Sequence, residues 1–128
     1  MIAAPLSILL VDGQIHGGVA HGIGNALYEE VIHDDNGQVL NASYMDYYLP
    51  GAMEVPRMDV AHIETPTPLN PLGCKGAGEG GTIPSPVAVA LAIEDALSDL
   101  KVKVDRIPVS PEVLHNAIAQ AKKRAQSS

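Results

Sequence analysis

The chain has 128 residues, 46% of them apolar and 18% charged, with twelve glycines, ten prolines, four tyrosines, one cysteine and neither Phe nor Trp. Length sets an expectation of one domain burying roughly two thirds of its unfolded surface; composition excludes a disordered chain, and there is no run of about 18 apolar residues to span a bilayer. Net charge is −7, with Arg57 and Lys75 the only bases against thirteen acids over residues 1–100, and six bases against two acids over residues 101–128.

So acidic a body repels phosphate, and no nucleic-acid partner is expected. Met1 to Ser7 carries no Lys or Arg ahead of the apolar run Ile8–Val11, so no secretory signal is indicated, and a soluble, cytoplasmic chain or piece of one is expected. Cys74 alone excludes an internal disulfide and a cysteine-cluster metal site. Large rings usually help to fill a core of this size, and their scarcity suggests that part of the packing comes from another chain.

In chain order, Ile8–Val11 ends in Asp12-Gly13 and reads as a short buried strand stopped by a turn. Val19, Ile23, Leu27 and Val31 then recur every fourth residue, which predicts a helix near 17–32. Gly17, Gly18, Gly22 and Gly24 lie in it at about 0.5–1 kcal/mol each relative to Ala, so close approach to something is their expected reason. Asp34-Asp35-Asn36-Gly37 signals a turn before a strand near 38–41. Met58, Val60 and His62 alternate with Asp59 and Ala61, predicting a strand near 58–64.

Five prolines and five glycines between Thr65 and Pro86 preclude regular structure, and with only Lys75 and Glu79 charged an ordered, functional loop is expected. Pro84 or Pro86 then opens a helix near 85–98. Val102 and Val104 suggest a strand near 102–106, and Ser110 with Pro111 starts a last helix near 111–124. Lys122, Lys123 and Arg124 sit in its last turns, where cations suit the dipole, and 125–128 is expected to be a flexible tail. The expected class is α+β: about three helices packed with short strands and a long Gly/Pro-rich loop.

Two segments can carry chemistry. In Gly73-Cys74-Lys75-Gly76-Ala77-Gly78-Glu79-Gly80-Gly81-Thr82 the glycines bare the backbone for close approach by a ligand. Glu79, among small residues and Pro-rich walls, is a candidate proton acceptor with a raised pKa; a helix-capping or solvated glutamate is the plainer alternative. The loop matches neither a P-loop nor a dinucleotide fingerprint. In the second segment, Gln14, His21 and Asn25 can donate hydrogen bonds to a polar ligand on a glycine face, or the glycines serve helix packing and the polar residues pair within the fold. His16 and His21, five apart, do not share a helical face as metal ligands would, and no metal held by protein side chains is expected. Tyr44, Met45, Tyr47 and Tyr48 line a passage or fill an interface. Cys74 is a reactive thiol beside Lys75 or a buried inert one. His33, His62 and His115 have no spacing that distinguishes them.

Several segments are similar, in register, to one family. They are Gly17-Gly18-Val19-Ala20-His21-Gly22-Ile23-Gly24-Asn25-Ala26-Leu27-Tyr28-Glu29-Glu30, then Ser43-Tyr44-Met45-Asp46-Tyr47, then Glu64-Thr65-Pro66-Thr67-Pro68. Asn70-Pro71-Leu72-Gly73 follows, leading through Lys75-Gly76-Ala77-Gly78-Glu79. From about Leu10 to Ala119 the chain resembles the C-terminal part of the molybdopterin-binding large subunit of the xanthine oxidase family, the molybdenum hydroxylases. Within that family it most resembles the aerobic carbon monoxide dehydrogenase large-subunit type.

The resemblance implies an oxidoreductase that hydroxylates or oxidises a small molecule with water-derived oxygen. It implies Glu79 as general base toward the molybdenum-bound hydroxyl, the metal being held by the pterin dithiolene. Gln14, Gly17, Gly18, His21, Gly22, Asn25, Lys75, Gly76, Ala77 and Gly78 are the implied cofactor contacts, His21 standing where many relatives carry Gln. The cofactor implied is molybdenum-molybdopterin, in its cytosine dinucleotide form, with [2Fe-2S] and FAD on partners: an iron-sulfur small subunit and an FAD-binding medium subunit. Family subunits are several times this long, their upstream cofactor loops have no counterpart here, and Met1 to Ser7 does not match the family. Residues 1–128 are therefore expected to form one partial domain, inactive without the remainder of the large subunit. A non-catalytic domain that keeps the fold and acts through protein contacts is the alternative. The substrate is left open among carbon monoxide, a purine, an aldehyde and a nicotinate-like ring.

Overall fold

The computed structural model describes residues 8–126. Its elements are helices α1 (Ile8–Leu27), α2 (Ser85–Ala96) and α3 (Pro111–Gln126), with a 3-10 turn at Ser98–Leu100. α1 packs along α2, and the 3-10 turn contacts both α2 and α3.

The first helix begins nine residues before its expected start. Ile8–Val11 is helical, because Ile8, Val11, Ile15 and Val19 extend the same three-to-four period upstream. Asp12-Gly13 lies inside the helix instead of turning the chain: the Asp12 carboxylate accepts a hydrogen bond from His62 Nε2 at 2.6 Å, well outside its own helix. The far end stops early. Tyr28 N–H and Glu29 N–H both donate to Gly24 O at 2.8 Å, and Val31 lies beyond the helix, half exposed.

One stripe of α1 explains Gly18 and Gly22. A Cβ on Gly18 would lie 2.8 Å from Thr82 N, and one on Gly22 would collide with Ser85 Cβ. From the other side, a Cβ on Gly81 would lie 2.5 Å from Ile15 O. The segment 81–86 therefore lies directly on the α1 backbone, and Ser85, the buried first residue of α2, donates its hydroxyl back to Gly81 O. Pro84 and Pro86 flank that start, where a missing N–H costs nothing. α3 starts as its sequence predicts, with Ser110 Oγ accepting from Val113 N–H at 3.3 Å. It runs on through Ala125 and Gln126, so the expected tail is helical there; Ser127 and Ser128, like Met1 to Ser7, lie outside the described residues.

The sheet expected from the alternating segments is absent among the described residues. The turn at Asp34 forms, with Asp34 Oδ1 accepting from Asn36 N–H and Gln38 N–H at 2.9 Å each, and Gly37 takes φ +81°. Those two backbone donors hold the Asp34 carboxyl below its ordinary pKa. Beyond the turn only a single antiparallel bridge, His33 to Val39, represents the strand near 38–41. Over 58–63 the side chains alternate as predicted, Met58, Val60 and His62 half-buried and Asp59, Ala61 and Ile63 exposed, and Val102 is buried beside exposed Lys103. Neither segment has a neighbouring strand among the described residues, and an alternating segment becomes a strand only when a ladder partner takes its N–H and C=O groups.

Packing elsewhere is polar and local. Tyr47 OH donates to Glu29 Oε2 at 2.7 Å, which raises the tyrosine's pKa, and the Tyr28 and Tyr48 rings lie 5.0 Å apart. Asn41 fastens the same loop, its Oδ1 accepting from Ile32 N–H and its amide donating to Glu30 O. Val109 N–H donates to Ala26 O at 2.6 Å, tying the approach to α3 onto the end of α1.

The buried apolar residues are Val11, Ile23, Ala26, Val102, Val109 and Ala121, all small or medium, and no large side chain is fully buried. The accessible surface is 9502 Å², against about 6,500 Å² for a compact monomer of this mass. Folding thus buries about half of the extended-chain surface, not about two thirds.

Two substitutions separate packing glycines from exposed ones. Gly22→Ala is expected to lower the unfolding free energy measured in urea by about 1–3 kcal/mol through overpacking. Gly17→Ala, where a Cβ meets nothing within 4 Å, should be neutral or stabilising by up to about 1 kcal/mol. At the other end of the fold, Glu94 accepts from Lys103 Nζ at 2.5 Å and from Val104 N–H at 3.0 Å, contacts that hold its carboxyl below the ordinary 4.5. That contribution is complete above the unfolded value and lost as pH falls through the lower folded one. Glu94→Gln should flatten the loss of stability below about pH 4.5, followed by circular dichroism in urea at stepped pH.

Candidate functional site

Between α1 and the glycine loop lies a cleft of about 440 Å³. Val11, Gln14 and Ile15 of α1 form one wall, Gly76 through Gly81 with Ile83 the other, and Ala61 with His62 close the side. It exists because α1 and the segment 81–86 touch at backbone distance, which brings the loop before that segment alongside the first turns of the helix.

The loop is held at several points. Gln14 Nε2 donates to Gly78 O at 2.8 Å, directly across the cleft edge. Asn70 clamps Cys74 from both sides, accepting from its N–H at 3.0 Å and donating to its carbonyl at 2.9 Å. Gly73, at φ +64°, turns the chain there, and its carbonyl accepts from Thr67 N–H. Lys75 Nζ donates to Thr65 Oγ1 at 2.6 Å. Glu79 O accepts from Thr82 N–H and Ile83 N–H at 3.1 Å each, so the backbone of Glu79 is anchored to the turn that opens α2 while its side chain is exposed at the cleft.

Of the residues singled out from sequence, the structure gathers Gln14, Gly76, Ala77, Gly78 and Glu79 around one cleft. Gly18 and Gly22 are buried under 81–86 and serve helix packing. Gly17, His21 and Asn25 lie on α1 away from the cleft lining, with His21 exposed and Asn25 half-buried, and Lys75 stands behind the loop on Thr65. Glu79 lacks the proline-walled shelter expected for it, since the described residues leave it open to solvent. Cys74 is half-buried and contacts Leu72 O. Tyr44 and Met45 are almost fully exposed.

Sequence reasoning missed the pair Asp12 and His62. Their closeness would have shown only if α1 had been started at Ile8, which puts Asp12 and His16 one turn apart on the same face. His16 Nε2 lies 3.5 Å from Met58 O, so both side chains reach toward the 58–62 segment.

No group of three or more His, Cys, Asp or Glu side chains that could hold a metal occurs among the described residues, and no helix among them is long and apolar enough to cross a membrane. The cleft does suit a polar organic cofactor held through main-chain groups. A Cβ added at Gly76, Gly78 or Gly80 would meet no atom within 4 Å, so a planar group can come against the loop backbone.

The comparisons with known proteins give the family. The model of the molybdopterin cofactor-binding domain family matches residues 4–56, reaching upstream of Leu10. The gamma subunit of the 6-hydroxypseudooxynicotine dehydrogenase complex of Paenarthrobacter nicotinovorans is 48% identical over 81% of this chain and 13% of its own length. The carbon monoxide dehydrogenase large chain of Afipia carboxidovorans is 36% identical over 72% of this chain and 11% of its own. The chain belongs to the molybdopterin-binding large subunits of the xanthine oxidase family. The crystal structure of quinoline 2-oxidoreductase from Pseudomonas putida 86 superposes with a TM-score of 0.84 at 45% identity, covering 88% of this chain and 14% of that one. The chain thus spans about one eighth of the length of these members of the xanthine oxidase family.

The Asn70 clamp gives a test of loop order. Asn70→Ala removes two hydrogen bonds from the segment before Lys75, and trypsin cleavage after Lys75 should accelerate about threefold or more, while cleavage after Lys122 and Lys123 keeps its rate.

Proposed function

We propose that this chain supplies the proton-accepting loop of a molybdenum-dependent oxidoreductase that hydroxylates an electron-poor carbon of a small molecule, with Glu79 as general base. The observation that carries this is the placement of Glu79 at a cleft whose opposite wall, through Gln14, fixes the loop on which it stands. A base is effective only when its carboxylate is held within reach of the proton it removes. The anchored backbone of Glu79 and the bond to Gly78 O fix the stretch of loop from which that carboxylate extends.

When bound, molybdenum-molybdopterin supplies the water-derived oxygen and takes up the two electrons. Converting a C–H bond and water into C–OH releases two protons with those two electrons, and a Glu79 carboxylate oxygen accepts the first proton and hands it to solvent, to which it is open. Gly76, Ala77 and Gly78 hold the cofactor edge through main-chain groups, and Gln14 keeps that loop in place. His21, Asn25, Gly17 and Lys75 belong to contacts completed by the remainder of the large subunit. The cytosine dinucleotide form of the cofactor, an iron-sulfur small subunit, an FAD-binding medium subunit and a cytoplasmic location complete the proposed assembly.

For substrate we favour an aromatic nitrogen heterocycle over carbon monoxide. Identity is 48% and 45% to proteins whose names carry pseudooxynicotine and quinoline, against 36% to a carbon monoxide dehydrogenase large chain. The ring nitrogen of such a molecule makes the adjacent carbon electron-poor.

Glu79→Gln keeps the size and polarity of the side chain and removes the base. In the assembled complex kcat should fall by about 10²–10⁴-fold with molybdenum content and KM little changed. An unchanged kcat would remove Glu79 from the reaction and assign the chain to the non-catalytic alternative.

A further inference from the structure

Two walls of the cofactor cleft are fixed by the contact of α1 with the segment 81–86, but its side is closed by Ala61 and His62, which stand on an extended segment outside that contact. No neighbouring strand among the described residues takes up the backbone of 58–62, so side chains must hold it in place. Two from α1 do so. His62 Nε2 donates to Asp12 Oδ1 at 2.6 Å, and His16 Nε2, one turn along the helix, lies 3.5 Å from Met58 O. The later residue of the segment meets the earlier residue of the helix, so the segment runs back along α1.

The far end of the same segment is tied to the opposite wall. Thr65 Oγ1 accepts from Lys75 Nζ at 2.6 Å, and Thr67 N–H donates to Gly73 O at 3.1 Å. Residues 58–67 therefore bridge from α1 to the glycine loop, and the bond of Asp12 to His62 fastens the part that borders the cleft. Both side chains are partly shielded, 33% and 23% exposed, so water competes for that bond less than at an open surface.

We propose that Asp12 and His62 are positioning residues for the cofactor: their hydrogen bond straps residues 58–62 to α1 and holds closed the side of the cleft that receives molybdenum-molybdopterin. The proposal rests on the reading above that Gly76, Ala77 and Gly78 hold the cofactor edge.

The test uses the full chain purified, loaded, with the subunits it assembles with. Molybdenum remaining on the protein is followed over time in urea held below the unfolding transition, and the unfolding midpoint is measured alongside. Release should be about three- to tenfold faster in Asp12→Ala and in His62→Phe, with the midpoint little changed. His62→Gln, whose amide nitrogen can donate to the carboxylate, should restore slow release, and the double variant Asp12→Ala, His62→Phe should be no faster than the single ones. Native release in both single variants, additive effects in the double, no rescue by His62→Gln, or acceleration matched by a fall in the midpoint would overturn the strap.

Gly78→Val keeps this inference apart from the reading beneath it. A Cβ there meets no atom within 4 Å, so the loop accommodates the side chain while the cleft is obstructed. Loss of molybdenum in Gly78→Val with native release in the strap variants would overturn the strap alone. Full retention in Gly78→Val would remove the cofactor from this cleft, and the strap's role would fall with it.

Discussion

α1 meets the segment that follows Glu79 with only the short side chains of Thr82, Ser85 and Pro86 at the contact, and the rest of the structure depends on that approach. Gly18, Gly22 and Gly81 each face backbone or a Cβ at distances that an added methyl could not share. Glycine inside a helix weakens it by about 0.5–1 kcal/mol per residue, and α1 carries that cost at Gly18 and Gly22 because a Cβ at either would push the segment 81–86 away. The same contact sets the site. Gly81 lies two residues after Glu79, and Gly18 lies one turn after Gln14, so pressing the two glycines together leaves Gln14 opposite Gly78 with a cleft between them.

The contact does not make a self-sufficient core. Apolar side chains such as Leu9, Met45, Met53 and Leu69 are more than four fifths exposed. Transferring such side chains out of water is worth about 1.5–3 kcal/mol each, so a chain that leaves them exposed forgoes that stabilisation at each one. This is the surface of a segment that spans about one eighth of the length of its relatives. It explains why tyrosine hydroxyls, asparagine clamps and turn carboxylates hold the loops here in place of rings packed in a core.

Much of this was legible in sequence, and the failures have a common physical origin. Proline and serine mark the starts of α2 and α3 through local chemistry that needs no partner, and the Gly/Pro-rich stretch could only be a loop. Met58 to Ile63 shows its alternation in burial without becoming a strand, because its alternation is a property of the segment while a ladder is a property of two. Ile8–Val11 misleads because four consecutive apolar residues fit either period, and Asp12-Gly13 imitates a turn. That single misplacement hid the bond from Asp12 to His62, which joins residues fifty apart. The division of the glycines into packed and open ones was beyond the sequence as well, since it depends on the phase of α1 against a loop whose path no local signal determines.

The polar groups around the cleft are mostly committed before any ligand arrives. The Gln14 amide nitrogen is engaged by Gly78 O, Lys75 Nζ bonds Thr65 Oγ1 outside the lining, and the Nε2 proton of His62 is bound by Asp12. Among the described lining residues no Lys or Arg occurs, and Glu79 brings a carboxylate. The described side chains of this lining therefore offer an anion nothing to offset its lost hydration. Val11, Ile15 and Ile83 offer an apolar wall, and Gly76, Gly78 and Gly80 a bare loop backbone. With the other polar side chains engaged, the Glu79 carboxylate is left open at the cleft, as the proposed proton transfer requires.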